Sequence, residues 1–211
     1  MNVQRPIIAI CGVPGSGKST VTRSLSLKLQ AVVVDMDDYQ TFTEQNVHEL
    51  ALQSDHERFY DQFSVPELGD TLAALKRGET VALPGRSEPC KADGPILFET
   101  HFGRAHRETG RHIDVMVWLD CSLDLALARK LHDFFNDFLK GDPAHHRQQL
   151  QWVNGYLQNY QNDVKSLLEV QQHRVARDAD IRLNSDRPLE ELVGSLTDML
   201  QTQYLRQPSH A

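Results

Sequence analysis

Strand-sized and helix-sized apolar patterns alternate along the 211 residues, and they predict an α/β fold: a doubly wound parallel sheet covered by helices on both faces. Three observations carry this. Short β-branched runs without polar alternation recur through the chain, the pattern of strands buried on both faces. Amphipathic stretches with four-residue spacing separate them. The first run also ends in a glycine-rich turn that opens straight into a helical pattern.

Taken in order, Pro6 to Cys11 reads as the first strand and Gly12 to Gly17 as the turn. Val21, Leu25 and Leu29 then mark one face of a helix. Ala31 to Val34 is a second strand, closing on Asp35-Met36-Asp37-Asp38. Pro66 to Arg77 is a helix with Leu68, Leu72 and Leu75 inward, stopped by Gly78. Pro95 to Phe98, Asp114 to Leu119 and Ala179 to Leu183 supply three more strands. Helical patterns cover Leu123 to Leu139, the long polar stretch Gln148 to Arg177, and Leu189 to Leu200. Thr41 to Phe63 and Gly141 to Arg147 are the least regular, and Gln207 to Ala211 reads as a frayed tail.

Length argues for one domain, residues 1–211, with a small lid near 133–150. Lys and Arg total 22 against 29 Asp and Glu, a net charge of −7, which argues against a broad nucleic-acid-binding face. No apolar run approaches the roughly 18 residues of a membrane span, and no signal-peptide core follows Arg5. Cys11, Cys90 and Cys121 lie far apart and form no metal or redox motif, so a reducing cytoplasm is the expected compartment.

Gly12-Val13-Pro14-Gly15-Ser16-Gly17-Lys18-Ser19-Thr20 matches G-x-x-x-x-G-K-[ST] at every position. Glycines let the backbone curl with its N–H groups inward, making an anion nest, and the following helix adds its positive end. Lys18 can reach the β- and γ-phosphates, while Ser19 offers a hydroxyl to Mg²⁺. The chain has neither the Asn-Lys-x-Asp nor the Asp-x-x-Gly of a GTPase, and no Leu-Ser-Gly-Gly signature of a transporter ATPase. Its length also leaves no room for a large motor or an AAA-type module with its lid domain. Small phosphoryl-transfer enzymes remain.

Ligands of an open α/β sheet bind beyond the carboxyl ends of its strands, and acids stand there: Asp35, Asp37 and Asp38, then Glu99, then Asp120. Phosphoryl transfer to a hydroxyl needs a carboxylate to accept the proton and a polar group beside Mg²⁺. Asp37 is expected to be the base, and Glu99 a partner of Mg²⁺-bound water or of a substrate hydroxyl. Asp after a strand also commonly caps a helix, and Asp120 is expected to cap the helix opening at Ser122.

These pieces resemble the uridine kinase, phosphoribulokinase and bacterial pantothenate kinase family. The resemblance runs through the loop, Asp37-Asp38-Tyr39, Phe63 to Leu68 leading to Leu75–Pro84, and Ile96 to Glu99. It continues through Val115 to Asp120 with Leu127 to Lys130, and Ala179 to Asn184. It spans roughly residues 5 to 200 in the family's order, and outside the loop the order and spacing carry it. It implies a five-stranded sheet in the order 2-3-1-4-5, ATP as donor and a small-molecule hydroxyl as acceptor. Asp37 would match the family's catalytic Asp, and Arg129 a lid-helix arginine near the phosphates. The chain departs from the family at Leu83 to Lys91 and at Thr100 to Arg104, where the family binds its acceptor, which argues against uridine or pantothenate. Tyr39, Arg86, Glu88, Glu99, His101 and Arg104 are the expected acceptor contacts.

Other features read as structural. His145-His146 lacks partners at ligand spacing and reads as part of a solvated lid. Trp152, Tyr156 and Tyr160 form a packing stripe rather than a base-stacking surface. Trp118 belongs to the core, and Cys11 acts as a small buried hydrophobe. The expected function is an ATP- and Mg²⁺-dependent kinase for a nucleoside, sugar or related small metabolite, with no nucleic-acid or membrane partner and with a homodimer left open. The alternatives are a nucleotide-regulated binding protein or weak NTPase, and a nucleotide kinase acting on a monophosphate.

Overall fold

The computed structural model describes residues 5–39 and 59–205. Strands β1 (Ile7–Cys11), β2 (Val32–Asp35), β3 (Ile96–Thr100), β4 (Val115–Asp120) and β5 (Ile181–Asn184) form one parallel sheet in the order β2-β3-β1-β4-β5. The expected order holds. Every residue of β1 and β3 is buried, as runs without polar alternation require when both faces of a sheet are covered.

Because successive strand residues point to opposite faces, the sheet divides its core in two. Ile7, Ala9 and Cys11 pack with Phe98, Met116 and Trp118 on one side. There α2 (Pro66–Arg77) and the end of a later helix cover them through Leu68, Leu72, Leu75, Val175 and Ala176. Ile8 and Ile10 join Leu97, Val117 and Leu183 on the other side, under α1 (Lys18–Leu29) and α7 (Leu189–Gln203). Trp118 is fully buried, as expected. So is Cys11, whose thiol burial pushes up to about 12.

Apart from the end of β1, which falls at Cys11 as expected, strand boundaries shift by one or two residues toward the carboxyl side, so Glu99 lies inside β3 rather than beyond it. Two short elements between β3 and β4 escaped the sequence reading: a 3-10 turn at Gly103–Ala105 and α3 (Arg107–Gly110). After β4 comes α4 (Leu123–Lys140), then a 3-10 turn at Pro143–His145. The long polar helix proves to be three pieces: α5 (His146–Asn159), a π-helical turn (Tyr160–Val164) and α6 (Lys165–Arg177). Gly141 to Arg147, read as irregular, thus contains a 3-10 turn and the start of α5. Of the irregular Thr41 to Phe63, only residues 59–63 are described, and Phe59–Gln62 form a 3-10 turn. The tail from Gln207 lies outside the described residues. No described helix is long and apolar enough to cross a membrane.

Candidate active site

The strand order sets where a site can form. β1 and β3 are neighbours, with Ile10 opposite Glu99 and Cys11 opposite Thr100. The chain leaves β1 toward the face under α1 and leaves β3 toward the opposite face, so a crevice opens between their carboxyl ends. The loop Gly12–Gly17 rises from β1 at that crevice.

The loop is built as an anion cradle. Gly15 and Gly17 hold φ of 83° and 92°, left-handed backbone that favours glycine. A Cβ on Gly15 would sit 2.2 Å from the carbonyl oxygen of Ala126, so the loop is pressed onto α4 there. The Ser16 N–H is tied back to the Val13 carbonyl, and the first bond of α1 runs from the Val21 N–H to the Gly17 carbonyl. The N–H groups of Lys18, Ser19 and Thr20 therefore have no intrahelical acceptor and open the positive end of α1 toward the loop. Among the described residues the Ser16 hydroxyl is buried with no hydrogen-bond partner. Lys18 is buried, its ammonium resting on the carbonyls of Gly12 (3.0 Å) and Val13 (3.3 Å). Burial lowers its pKa, against the pull of Glu99 and Asp37.

Two carboxylates face this cradle. Glu99 accepts a hydrogen bond from the Ser19 hydroxyl at 2.6 Å, and burial raises its pKa while that bond lowers it. A hydroxyl and a carboxylate in contact beside an anion nest suit Mg²⁺, which keeps several waters and takes few protein ligands plus phosphate oxygens. No group of three or more His, Cys, Asp or Glu among the described residues could hold a metal alone. Asp37 stands in the 3-10 turn Met36–Tyr39 after β2. The Asp35 carboxylate accepts the Asp37 N–H at 2.9 Å, which shapes the turn and gives Asp35 a structural role. Oδ1 of Asp37 lies 3.2 Å from Nε2 of His101. A carboxylate only accepts, so Nε2 carries the proton. That bond holds the Asp37 carboxyl below its usual range, whereas burial, then Lys18, lowers the His101 pKa and keeps its ring neutral. His101 is fixed from behind, its carbonyl accepting from the Gln171 side chain on α6.

These groups line one cavity of about 670 Å³, which the loop shares with Arg129, Lys130, Asp133, Ser185 and Arg187. The structure brings together Pro14 to Thr20 with Asp37, Glu99, His101 and Arg129; Gly12 and Val13 lie beneath, holding Lys18. The Arg129 guanidinium is engaged with Ser185, at 3.1 Å from its carbonyl and 3.4 Å from its hydroxyl.

Four expected acceptor contacts are corrected, because their side chains do not line the cavity. Tyr39 packs into the core on the α2 side. Arg86 is exposed and reaches the Val33 carbonyl, and Glu88 is exposed in the same loop. Arg104 is consumed by the Asp180 carboxylate and the carbonyls of Asp178 and Asp114, locking the loop after β3 onto β4 and β5. Asp120 is corrected too: its carboxylate takes Trp118 Nε1 and the Arg182 guanidinium instead of capping α4. Lys130, Asp133 and Arg187 were missed. Lys130 and Asp133 share the helix face next to Arg129 at three-residue spacing, and Arg187 follows β5, where the strand-end rule already pointed.

Residues 8–133 match the model of a family described as an AAA domain, and the chain belongs to that family. The exclusion of an AAA-type module by length is thereby corrected, since the match ends within α4 and requires no appended lid domain. No curated protein matches the sequence. Among solved structures, one described as "a Possible Uridine Kinase from Bacillus stearothermophilus" aligns with a TM-score of 0.53 at 18% identity, covering 87% of this chain and 91% of its own. A sugar kinase from Janibacter sp. HTCC2649 aligns at 0.51 and 14% identity, covering 94% and 96%. At such identities the shared property is the fold.

Proposed function

We propose that this member of the AAA-domain family is an ATP-dependent kinase that moves a γ-phosphate to a hydroxyl of a small metabolite, acting as one domain with residues 133–150 as its lid. The observation that carries this reading is the meeting of an anion cradle, a Ser19–Glu99 pair and an Asp37–His101 pair in a single cavity.

Each residue then has a task. The N–H groups that open α1, with Lys18 released from the carbonyls of Gly12 and Val13, bind the phosphates. Mg²⁺, when bound, supplies positive charge against the phosphate oxygens, and Ser19 and Glu99 are the residues that would hold it. Asp37 accepts the acceptor's hydroxyl proton; its depressed pKa keeps it ionised at neutral pH, and the neutral His101 fixes which oxygen is free. Lys130 and Arg129 line the same cavity and supply cationic stabilisation as charge shifts during transfer. The fold shared with uridine and sugar kinase structures supports this reading.

The test is acceptor-dependent ADP release from Mg·ATP across nucleosides, sugars, sugar phosphates and amino alcohols, with Lys18→Ala as the blank. One acceptor raising turnover well above the blank is the expected result. Tight nucleotide binding with no acceptor response would replace the reading with a nucleotide-regulated binding protein.

A further inference from the structure

A second cavity, of about 440 Å³, lies behind the phosphate loop between α4 and the α5–π–α6 segment. Its size is that of a small-molecule pocket. Its wall is aromatic and aliphatic: Leu127, Phe134, Trp152, Tyr156 and Tyr160 stand on it. Phe134, Trp152 and Tyr156 are stacked in sequence, with centroids 5.7 and 5.6 Å apart. The π-helical turn widens the helix at this wall and brings in Tyr160, whose hydroxyl donates to the Leu123 carbonyl at the start of α4. Such single π-helical turns inside α-helices occur frequently at functional sites.

Pro14 of the phosphate loop, Lys130 and Asp133 line both cavities, so a molecule in the second presents one end to the loop. Lys130 also lines the first cavity together with Lys18 and Asp37, so this shared edge opens onto the reacting groups. Asp133 and Asp137 stand at four-residue spacing on the α4 rim, and among the described residues neither carboxylate has a hydrogen bond or ion pair. Against the single Lys130, the rim carries an excess of negative charge.

Resting on the kinase reading above, we infer that this cavity is the acceptor subsite and that the acceptor is a ring-bearing, predominantly apolar amino alcohol rather than a polyol. Its ring lies among the leucines and aromatic side chains, its ammonium meets Asp133 and Asp137, and its hydroxyl points past Pro14. In the transfer, the hydroxyl oxygen forms the new bond to the γ-phosphorus as the bond to the β–γ bridging oxygen breaks. The electron pair leaves on ADP and the hydroxyl proton goes to Asp37.

Trp152 provides a readout separate from turnover, because it stands on the wall of this cavity whereas Trp118 is fully buried in the sheet core. The full chain is titrated with 2-amino-1-phenylethanol, with 1-phenylethanol and with ribose, following tryptophan emission, and each compound is then offered as acceptor with Mg·ATP. Saturable change with the amino alcohol is expected, about tenfold weaker for 1-phenylethanol and for the Asp137→Asn variant, and absent with ribose. Trp152→Phe should abolish the emission change, which identifies Trp152 as its source. Phosphorylation of ribose with a KM indifferent to Asp137→Asn overturns the inference and leaves the kinase reading standing. Saturable binding with no transfer to any acceptor overturns the kinase reading and the acceptor role together, leaving only the ligand class. No emission change with the amino alcohol overturns the inference outright.

Discussion

The phosphate loop and the α4–α6 arm touch at Pro14, yet they are held by different means. Backbone conformation fixes the loop: left-handed glycines, N–H groups without helical partners and a lysine resting on main-chain carbonyls. Side chains fix the arm, through stacked rings at Phe134–Trp152 and Phe138–His146 and a π-helical turn whose tyrosine reaches α4. Backbone-built sites tolerate few residue types, whereas side-chain packing accepts many combinations. The loop should therefore be brittle and the arm forgiving.

The sharpest break comes at the strand-end acid. Asp37→Asn should lower acceptor-dependent turnover about 10²–10⁴-fold while nucleotide affinity changes little, read by steady-state kinetics beside equilibrium binding. Equal losses in both would recast Asp37 as a nucleotide ligand.

Within the loop, Gly15→Ala combines left-handed backbone with a Cβ pressed onto the Ala126 carbonyl, and should cost about 2–4 kcal/mol. At Gly17 nothing among the described residues lies within 4 Å of a Cβ, so Gly17→Ala meets the backbone cost, about 1–2 kcal/mol. Urea unfolding of the two variants measures the difference, and equal losses would mean that the contact with α4 contributes nothing.

His101 tests the site through pH. Its folded pKa lies below the ordinary 6.5, so as pH falls beneath 6.5 the unfolded chain takes up a proton that the folded one resists. Stability should decline in that window, down to the lowered folded value. His106 and His112 are lowered as well and contribute there, so the informative quantity is the difference between the native chain and His101→Gln. The variant should show a shallower decline. Asp37, also depressed, contributes stability that is lost only further down, as pH falls below its ordinary 3.8 toward its folded value. Identical melting profiles from pH 7 to 5 would remove His101 from the account.

The smallest effect is expected in the arm. Trp152 is 60% exposed, so Trp152→Ala should cost less than about 1.5 kcal/mol despite its stacked neighbours. A loss rivalling Gly15→Ala would end the contrast between the two regions.

How much of the site could be read from sequence follows the same division. Lys18, Ser19, Asp37 and Glu99 were accessible because each sits in a motif or at the end of an apolar run, and strand ends converge in this fold. Arg104 looked the same by that rule, yet its guanidinium turns to Asp180, a residue 76 positions away. Trp152, Tyr156 and Tyr160 share one helix face as their four-residue spacing predicts, but that spacing cannot say whether such a stripe closes a core or walls a cavity. Lys130 and Asp133 went unnoticed because charged residues on a helix ordinarily face solvent.

The sequence by itself determined the alternation of buried strands and amphipathic helices, hence a parallel sheet, and a loop whose chemistry is backbone chemistry. Both are local: they depend on residues within a turn or a strand of one another. Only the tertiary structure decided that Ser19 meets Glu99 across 80 positions and Asp37 meets His101 across 64. It also decided that Arg104 is withdrawn and that an aromatic cavity opens behind the loop. Those outcomes depend on register between strands distant in the chain and on competition among partners for each charged group, and no local pattern encodes either.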